Sequence, residues 1–216
     1  MPKTQEERWG HLWSRYQDPK RPHRLLALDG GGIRGLITLG ILGEMEQKLA
    51  KRTGEGSAFR LGKWFDYIGG TSTGAIIAAG LARGMAVDEL VQFYRDSGKA
   101  MFEKTSLLKR LSSFYEADPL RAKLQTVFGA ESTLEPQHLQ SLLLVVTHNI
   151  TTDSPWPISS NPDARYNDPE RSNCNLRIPL WQLVRASTAA PVYFPRKYCS
   201  GTRPIPPTPS FLWMAV

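Results

Sequence analysis

Two glycine-rich clusters hold the residues best suited to chemistry. Gly70-Thr71-Ser72-Thr73-Gly74 has the form G-x-S-x-G and lies between an apolar run, Trp64–Gly69, and an apolar stretch, Ala75–Ala82. A serine presented at a sharp strand-to-helix turn takes up a strained backbone. The flanking glycines, Gly70 and Gly74, remove the side-chain clashes that would forbid it. Amides at the start of the following helix favour negative charge at the serine, so the pattern points to Ser72 as a nucleophile.

The second cluster is Asp29-Gly30-Gly31-Gly32-Ile33-Arg34-Gly35, which also follows an apolar run and precedes a helical pattern. Consecutive glycines leave backbone amides free to face an anion, either a phosphate or an oxyanion. Arg34 stands where it could contact the same anion, or serve as an ordinary surface cation. Gly30, Gly32 and Gly35 also satisfy G-x-G-x-x-G, which keeps a nucleotide-binding domain in view. That reading wants an acidic residue ending a second strand about 20 residues on. Glu55 is near the distance, but it lies in Thr53–Ser57 with no strand before it. No Lys-Ser/Thr pair follows the glycines, so the P-loop pattern fails as well.

These clusters need rigid elements to hold them. Arg24–Asp29 reads as a short buried strand. Leu36, Leu39, Leu42, Met45 and Leu49 recur at helical spacing after it. Trp64–Gly69 predicts a second strand, Ala75–Ala82 a buried helix, and residues 87–103 an amphipathic helix. Asp118-Pro119 is a good helix start and Gly129 a good stop. Leu142–Val146 predicts a central strand. This alternation implies an α/β fold with a mostly parallel sheet flanked by helices. Residues 1–22 read as a polar lead-in. Thr151–Asn175 reads as a long polar, proline-broken loop, either a functional loop over the mouth of the site that sets substrate size, with Trp156 as a lipid contact, or simply a mobile surface loop.

Composition narrows the function classes. The 216 residues fit one large domain, and 22% charged residues exclude charge-driven disorder. Net charge is +7, which permits attraction to anionic lipid head groups or to nucleic acid without choosing between them. With no long basic run, an ordinary positively charged surface is the favoured reading, and no nucleic-acid partner is expected. No apolar window reaches the ~20 residues of a membrane span, and residues 1–17 lack a secretory apolar core. The expected setting is cytoplasmic, peripheral to membranes at most. Cys174 and Cys199 read as free thiols, and no His/Cys/carboxylate cluster suggests a metal or other cofactor. A Ser–acid–His order is available in Ser72, Asp118 and either His138 or His148. Asp118 is better explained as a helix N-cap and His148 has no turn signature of its own, so the triad is disfavoured; His11 and His23 read as surface residues.

Together the two clusters resemble those of the patatin-like phospholipases, in which a D-G-G-G-x-R/K-G loop supplies the oxyanion hole and the G-x-S-x-G serine is the nucleophile. A third match is Arg185–Pro195, similar to the family's A-S-x-A-x-P segment. The three come in the family's order over residues 23–195. The resemblance implies a three-layer α/β/α sandwich and a lipid acyl hydrolase acting on phospholipids or related lipids. It assigns Ser72 as nucleophile and Gly30, Gly31, Gly32 and Arg34 to the oxyanion hole, with Gly70 and Gly74 shaping the turn.

The family's base is an aspartate in a D-G-G or D-G-A turn shortly after the third motif. Of the nine aspartates here, only Asp29 precedes a glycine, and residues 196–208 contain no acidic residue. The chain therefore reads as residues 1–22, an acyl hydrolase domain over 23–195 and an atypical proline-rich stretch over 196–216. The expectation is an incomplete C-terminal sheet edge and impaired turnover. A catalytically impaired lipid-binding relative is the alternative.

Overall fold

The structure, a computed structural model, describes residues 4–102, 119–149, 152–188 and 213–214. Two short helices, α1 (Gln5–Trp9) and α2 (His11–Gln17), precede strand β1 (Leu25–Leu28) and the glycine loop. Helix α3 (Gly35–Thr53) follows, then α4 (Leu61–Trp64), strand β2 (Tyr67–Thr71) and helices α5 (Thr73–Ala82), α6 (Val87–Phe102) and α7 (Pro119–Phe128). Strands β3 (Leu142–Asn149) and β4 (Ser154–Ser159), helix α8 (Leu180–Ser187) and strand β5 (Trp213–Met214) follow, and four short 3-10 turns lie between elements among the described residues.

The sheet order is β1-β2-β3-β4, with β1, β2 and β3 parallel and β4 antiparallel to β3; β5 adds an antiparallel pairing to β3. The expected mostly parallel α/β fold is therefore present. In register, Leu28 pairs with Gly70 and Thr71 with Val146, so the C-terminal ends of β1, β2 and β3 lie side by side. Both glycine clusters leave the sheet at that end, where parallel α/β sheets place their sites. Helix α5 is the centre of the core. Every residue from Ala75 to Ala82 is buried, as a helix apolar on all sides must be.

Two expectations are corrected. The polar lead-in is helical: Thr4 and Glu7 form a reciprocal capping box, and Trp9 and Leu12 are fully buried in the core. The loop expected over Thr151–Asn175 contains β4, paired to β3 from Asn149↔Ser154 to Leu144↔Ser159. Because β4 is antiparallel, the chain after it emerges at the opposite end of the sheet from the glycine clusters. There Trp9 Nε1 donates to the Ser160 carbonyl and the Tyr16 hydroxyl to Asp163. Half-buried Trp156 packs on the core from β4. The Asp118 cap and Cys199 lie outside the described residues, as does the stretch after Pro195 apart from β5, so the expected incomplete sheet edge is not described; Cys174 is a buried free thiol.

A polar hub fastens the N-terminal ends of the strands. Arg15 donates to the carbonyls of Lys63, Phe65 and Gln140 and to Asp66. Asp66 also accepts from the Arg21 side chain and the Arg24 amide. Burial pushes the Asp66 carboxyl up, but the Arg24 amide and the Arg21 and Arg15 guanidiniums outweigh it and hold it below the usual carboxylate value. A depressed folded-state value contributes stability above the unfolded value near ~4, lost as pH falls through the folded one. Asp66→Asn is expected to cost about 1–3 kcal/mol at neutral pH, because it weakens the charge-assisted bonds from the half-buried Arg15 and Arg21 side chains and the Arg24 amide. Urea unfolding should show the gap to wild type narrowing below about pH 4. An equal gap at all pH values would contradict the ionised-hub account.

Candidate active site

Ser72 sits between β2 and α5 with φ 53° and ψ −122°, one of two described non-glycine residues with positive φ. The turn is built by what its glycines permit. A Cβ on Gly70 would lie 2.3 Å from the Gly74 carbonyl oxygen, and one on Gly74 would lie 2.2 Å from the Leu28 carbonyl oxygen. Gly74 therefore does more than relieve the serine: it lets α5 close directly onto the end of β1. A Cβ on Gly30 would stand 3.0 Å from Ser72 Cβ, so the second cluster lies against the first. Ser72, Gly30, Gly31, Gly32 and Arg34 are thus brought to one end of the sheet. Ser72 is the N-cap of α5, at the positive end of its dipole.

Three contacts hold the turn, and none was legible in the motifs. The Ser72 amide donates to Ser187 Oγ at 2.9 Å, and that hydroxyl donates to the Val146 carbonyl at 2.7 Å. Ser187 is fully buried at the end of α8, so a single hydroxyl links the turn, β3 and the third motif. The buried Tyr94 hydroxyl donates to the Thr73 carbonyl at 2.8 Å, and burial raises its pKa. Its ring leaves no room for a side chain at Gly35, where a Cβ would come within 3.0 Å.

The third contact changes the picture of the glycine loop. The amides of Gly31 and Gly32, expected to be free for an anion, both donate to Thr73 Oγ1 at 3.1 Å. The two donors converge on one point beside Ser72, and a neutral hydroxyl fills it. A negatively charged acceptor forms stronger bonds with the same amides and can displace it. Arg34 is exposed, and its Nε donates weakly to the Gly31 carbonyl at 3.4 Å.

Asp118, the acid of the alternative histidine arrangement, lies outside the described residues. His138 Nδ1 accepts from the Thr133 amide, and His148 Nε2 pairs with Asp153 at 2.9 Å across the β3–β4 turn. Among the described residues no group of His, Cys, Asp and Glu could hold a metal ion. A cavity of about 530 Å³, lined by residues including Arg15, Tyr16, Leu25, Asp66 and Tyr67, lies at the N-terminal ends of the strands, away from Ser72. No helix among the described residues is long and apolar enough to cross a membrane.

Comparison with known proteins agrees with this geometry. A family described as patatin-like phospholipase matches residues 26–208. A cGAMP-activated phospholipase of Escherichia coli is 34% identical over 187 residues, covering 83% of this chain and 49% of that protein. Patatin-17 of Solanum cardiophyllum is 31% identical over 181 residues, covering 81% of this chain and 44% of that protein. The chain thus spans about half the length of these curated relatives. In fold it is similar to VipD from Legionella pneumophila, with a TM-score of 0.51 at 15% identity, over 90% of this chain and 46% of that one.

Proposed function

The chain belongs to the patatin-like phospholipase family, and we propose on that premise that it carries the nucleophile half of a serine lipid acyl hydrolase. In this reading Ser72 Oγ attacks the carbonyl carbon of a fatty-acyl ester in a phospholipid or related lipid. Its proton passes to a carboxylate base, and the carbonyl π electrons move onto oxygen. The amides of Gly31 and Gly32 exchange the Thr73 hydroxyl for that oxyanion, with Gly30 and Arg34 shaping the loop; one such donor is worth roughly 3–4 kcal/mol in the transition state. Collapse expels the lysolipid alcohol with the proton, and water then releases the fatty acid from Ser72. No cofactor is required. The supporting observation is the Ser72 turn itself, whose positive φ and glycine packing hold a half-buried serine beside two convergent amides. The acyl hydrolase unit is assigned to 23–195, and the protein to the cytoplasm with transient membrane contact.

A second reading, a lipid-binding relative with little turnover, rests on one sequence fact: residues 196–216, where the family's D-G-G or D-G-A turn is expected, carry no aspartate. A serine hydroxyl depends on a base within hydrogen-bond reach, and its loss elsewhere costs about 10⁴–10⁶-fold. The 216-residue chain is therefore expected to hydrolyse a short-chain p-nitrophenyl ester slowly. Replacing residues 196–216 with a family-type segment carrying Asp-Gly-Gly should raise the rate by orders of magnitude. Full activity in the original chain would mean that another group serves as base.

A further inference from the structure

Helix α3 is apolar on two sides, and only one of them is used by the core. Leu39 and Leu42 are buried, with Leu36, Met45 and Leu49 packed beside them. On the outside, Ile37 and Ile41 are 68% and 67% exposed, and Ile33, in the 3-10 turn just before the helix, is 49% exposed. Their i, i+4, i+8 spacing stacks them in one stripe. β-branched residues on a solvated helix face contribute nothing to helix propensity or solubility, so the stripe needs another explanation.

Position and charge supply it. Ile33 belongs to the glycine loop that lies against Ser72, so the stripe starts at the site and runs away from it at ~6 Å per four residues. Beyond Ile41 the exposed face turns basic: Lys48, Lys51 and Arg52 are exposed, and Arg34 is exposed beside Ile33. Against these four cations stand exposed Glu44, already paired with Lys48 at 3.8 Å, exposed Asp29 in the glycine loop and exposed Glu55 just past the helix. Glu46 turns inward, where its carboxylate accepts from the Leu61 and Val87 amides. An apolar stripe continued by cations is the pattern of a helix that lies in the plane of an anionic bilayer. A second copy of the chain fits poorly. Three isoleucines fall well short of the ~800 Å² per partner of a stable dimer, and the flanking cations would repel their counterparts.

We propose that the Ile33–Ile37–Ile41 stripe and the basic residues Lys48, Lys51 and Arg52 form the surface that seats this protein on an anionic phospholipid bilayer, with the Ser72 turn at its edge. This rests on the reading of Ser72 as a lipid acyl nucleophile, since a lipid ester must reach the turn from a membrane surface.

The test is co-sedimentation with vesicles of phosphatidylcholine containing phosphatidylglycerol, and with phosphatidylcholine alone, for wild type, the double variant Ile37→Glu/Ile41→Glu and the double variant Lys51→Glu/Arg52→Glu. Wild type should bind the mixed vesicles and lose binding as salt rises. The isoleucine variant should bind at least tenfold more weakly. The basic variant should lose the preference for anionic vesicles. Both should keep the wild-type thermal unfolding midpoint and, in the chain supplied with the Asp-Gly-Gly segment, the unsubstituted rate on a water-soluble short-chain ester. Equal binding by wild type and the isoleucine variant would overturn the proposal. So would a wild-type dimer that the isoleucine substitutions dissociate without any vesicle binding. Vesicle binding needs no turnover, so a failed hydrolase reading would show separately, as no ester cleavage even when the Asp-Gly-Gly segment is supplied.

Discussion

Ser72→Ala, made in a chain supplied with the Asp-Gly-Gly segment, is expected to lower ester hydrolysis by about 10⁴–10⁶-fold, to the level the amides alone can support. The fold should not notice. The backbone at Ser72 already carries a Cβ at φ 53°, so alanine adds no strain. The Ser72 amide keeps its bond to Ser187 Oγ, and the turn keeps the Thr73 and Tyr94 contacts. Stability should stay within about 0.5 kcal/mol of wild type, as for a substitution that disturbs no packed or bonded group. The check is p-nitrophenol release alongside urea unfolding. A rate loss that came with a lowered unfolding midpoint would point to damage rather than to a missing nucleophile.

Gly74→Ala is expected to have the largest structural effect of any single methyl addition at the site. Its Cβ would fall 2.2 Å from the Leu28 carbonyl oxygen and 2.7 Å from the Asp29 carbonyl oxygen. Both are backbone atoms that cannot rotate away, so α5 must move off β1 and draw Ser72 away from the glycine loop. The cost should be about 3 kcal/mol or more, at the upper end of overpacking, a fall of roughly 6–12 °C in Tm. Hydrolysis should fall with it, because the amides and Ser72 lose their common focus. Gly40→Ala is the matched control. That position lies on the exposed side of α3 with nothing within 4 Å of a new Cβ, so alanine should stabilise the helix by about 0.5–1 kcal/mol. A Gly74→Ala protein as stable as wild type would mean that the close approach of α5 to β1 is not what the motif secures.

Much of the scaffold was legible because its signals are local. Strand β1, the glycine loop and α3 follow one another within 30 residues, as do β2, the turn and α5, and each carries a clear period or a uniformly apolar run. What escaped depends on distant partners. Helices α1 and α2 have five and seven residues and bury one each, Trp9 and Leu12, which is too little to show a period. Strand β4 carries Pro155 and Pro157, which argue against a strand. It tolerates them as an edge strand, where alternate amides need no partner. Ser187 bonds the Ser72 amide across 115 residues, and Thr73 fills the amide focus across 41 and 42. In the sequence both are ordinary small polar residues within a motif, and nothing in their own neighbourhood reveals which backbone group they meet.

The central claim is that Ser72 is the nucleophile of an acyl hydrolase, and the most direct test is covalent. The chain carrying the Asp-Gly-Gly segment is treated with a fluorophosphonate, which exchanges its fluoride for an activated serine oxygen, then digested and analysed by mass spectrometry. The account predicts a phosphonyl adduct on the peptide containing Ser72 and none in the Ser72→Ala protein. An adduct on a different serine, with Ser72 unmodified in a protein that cleaves esters, would contradict it.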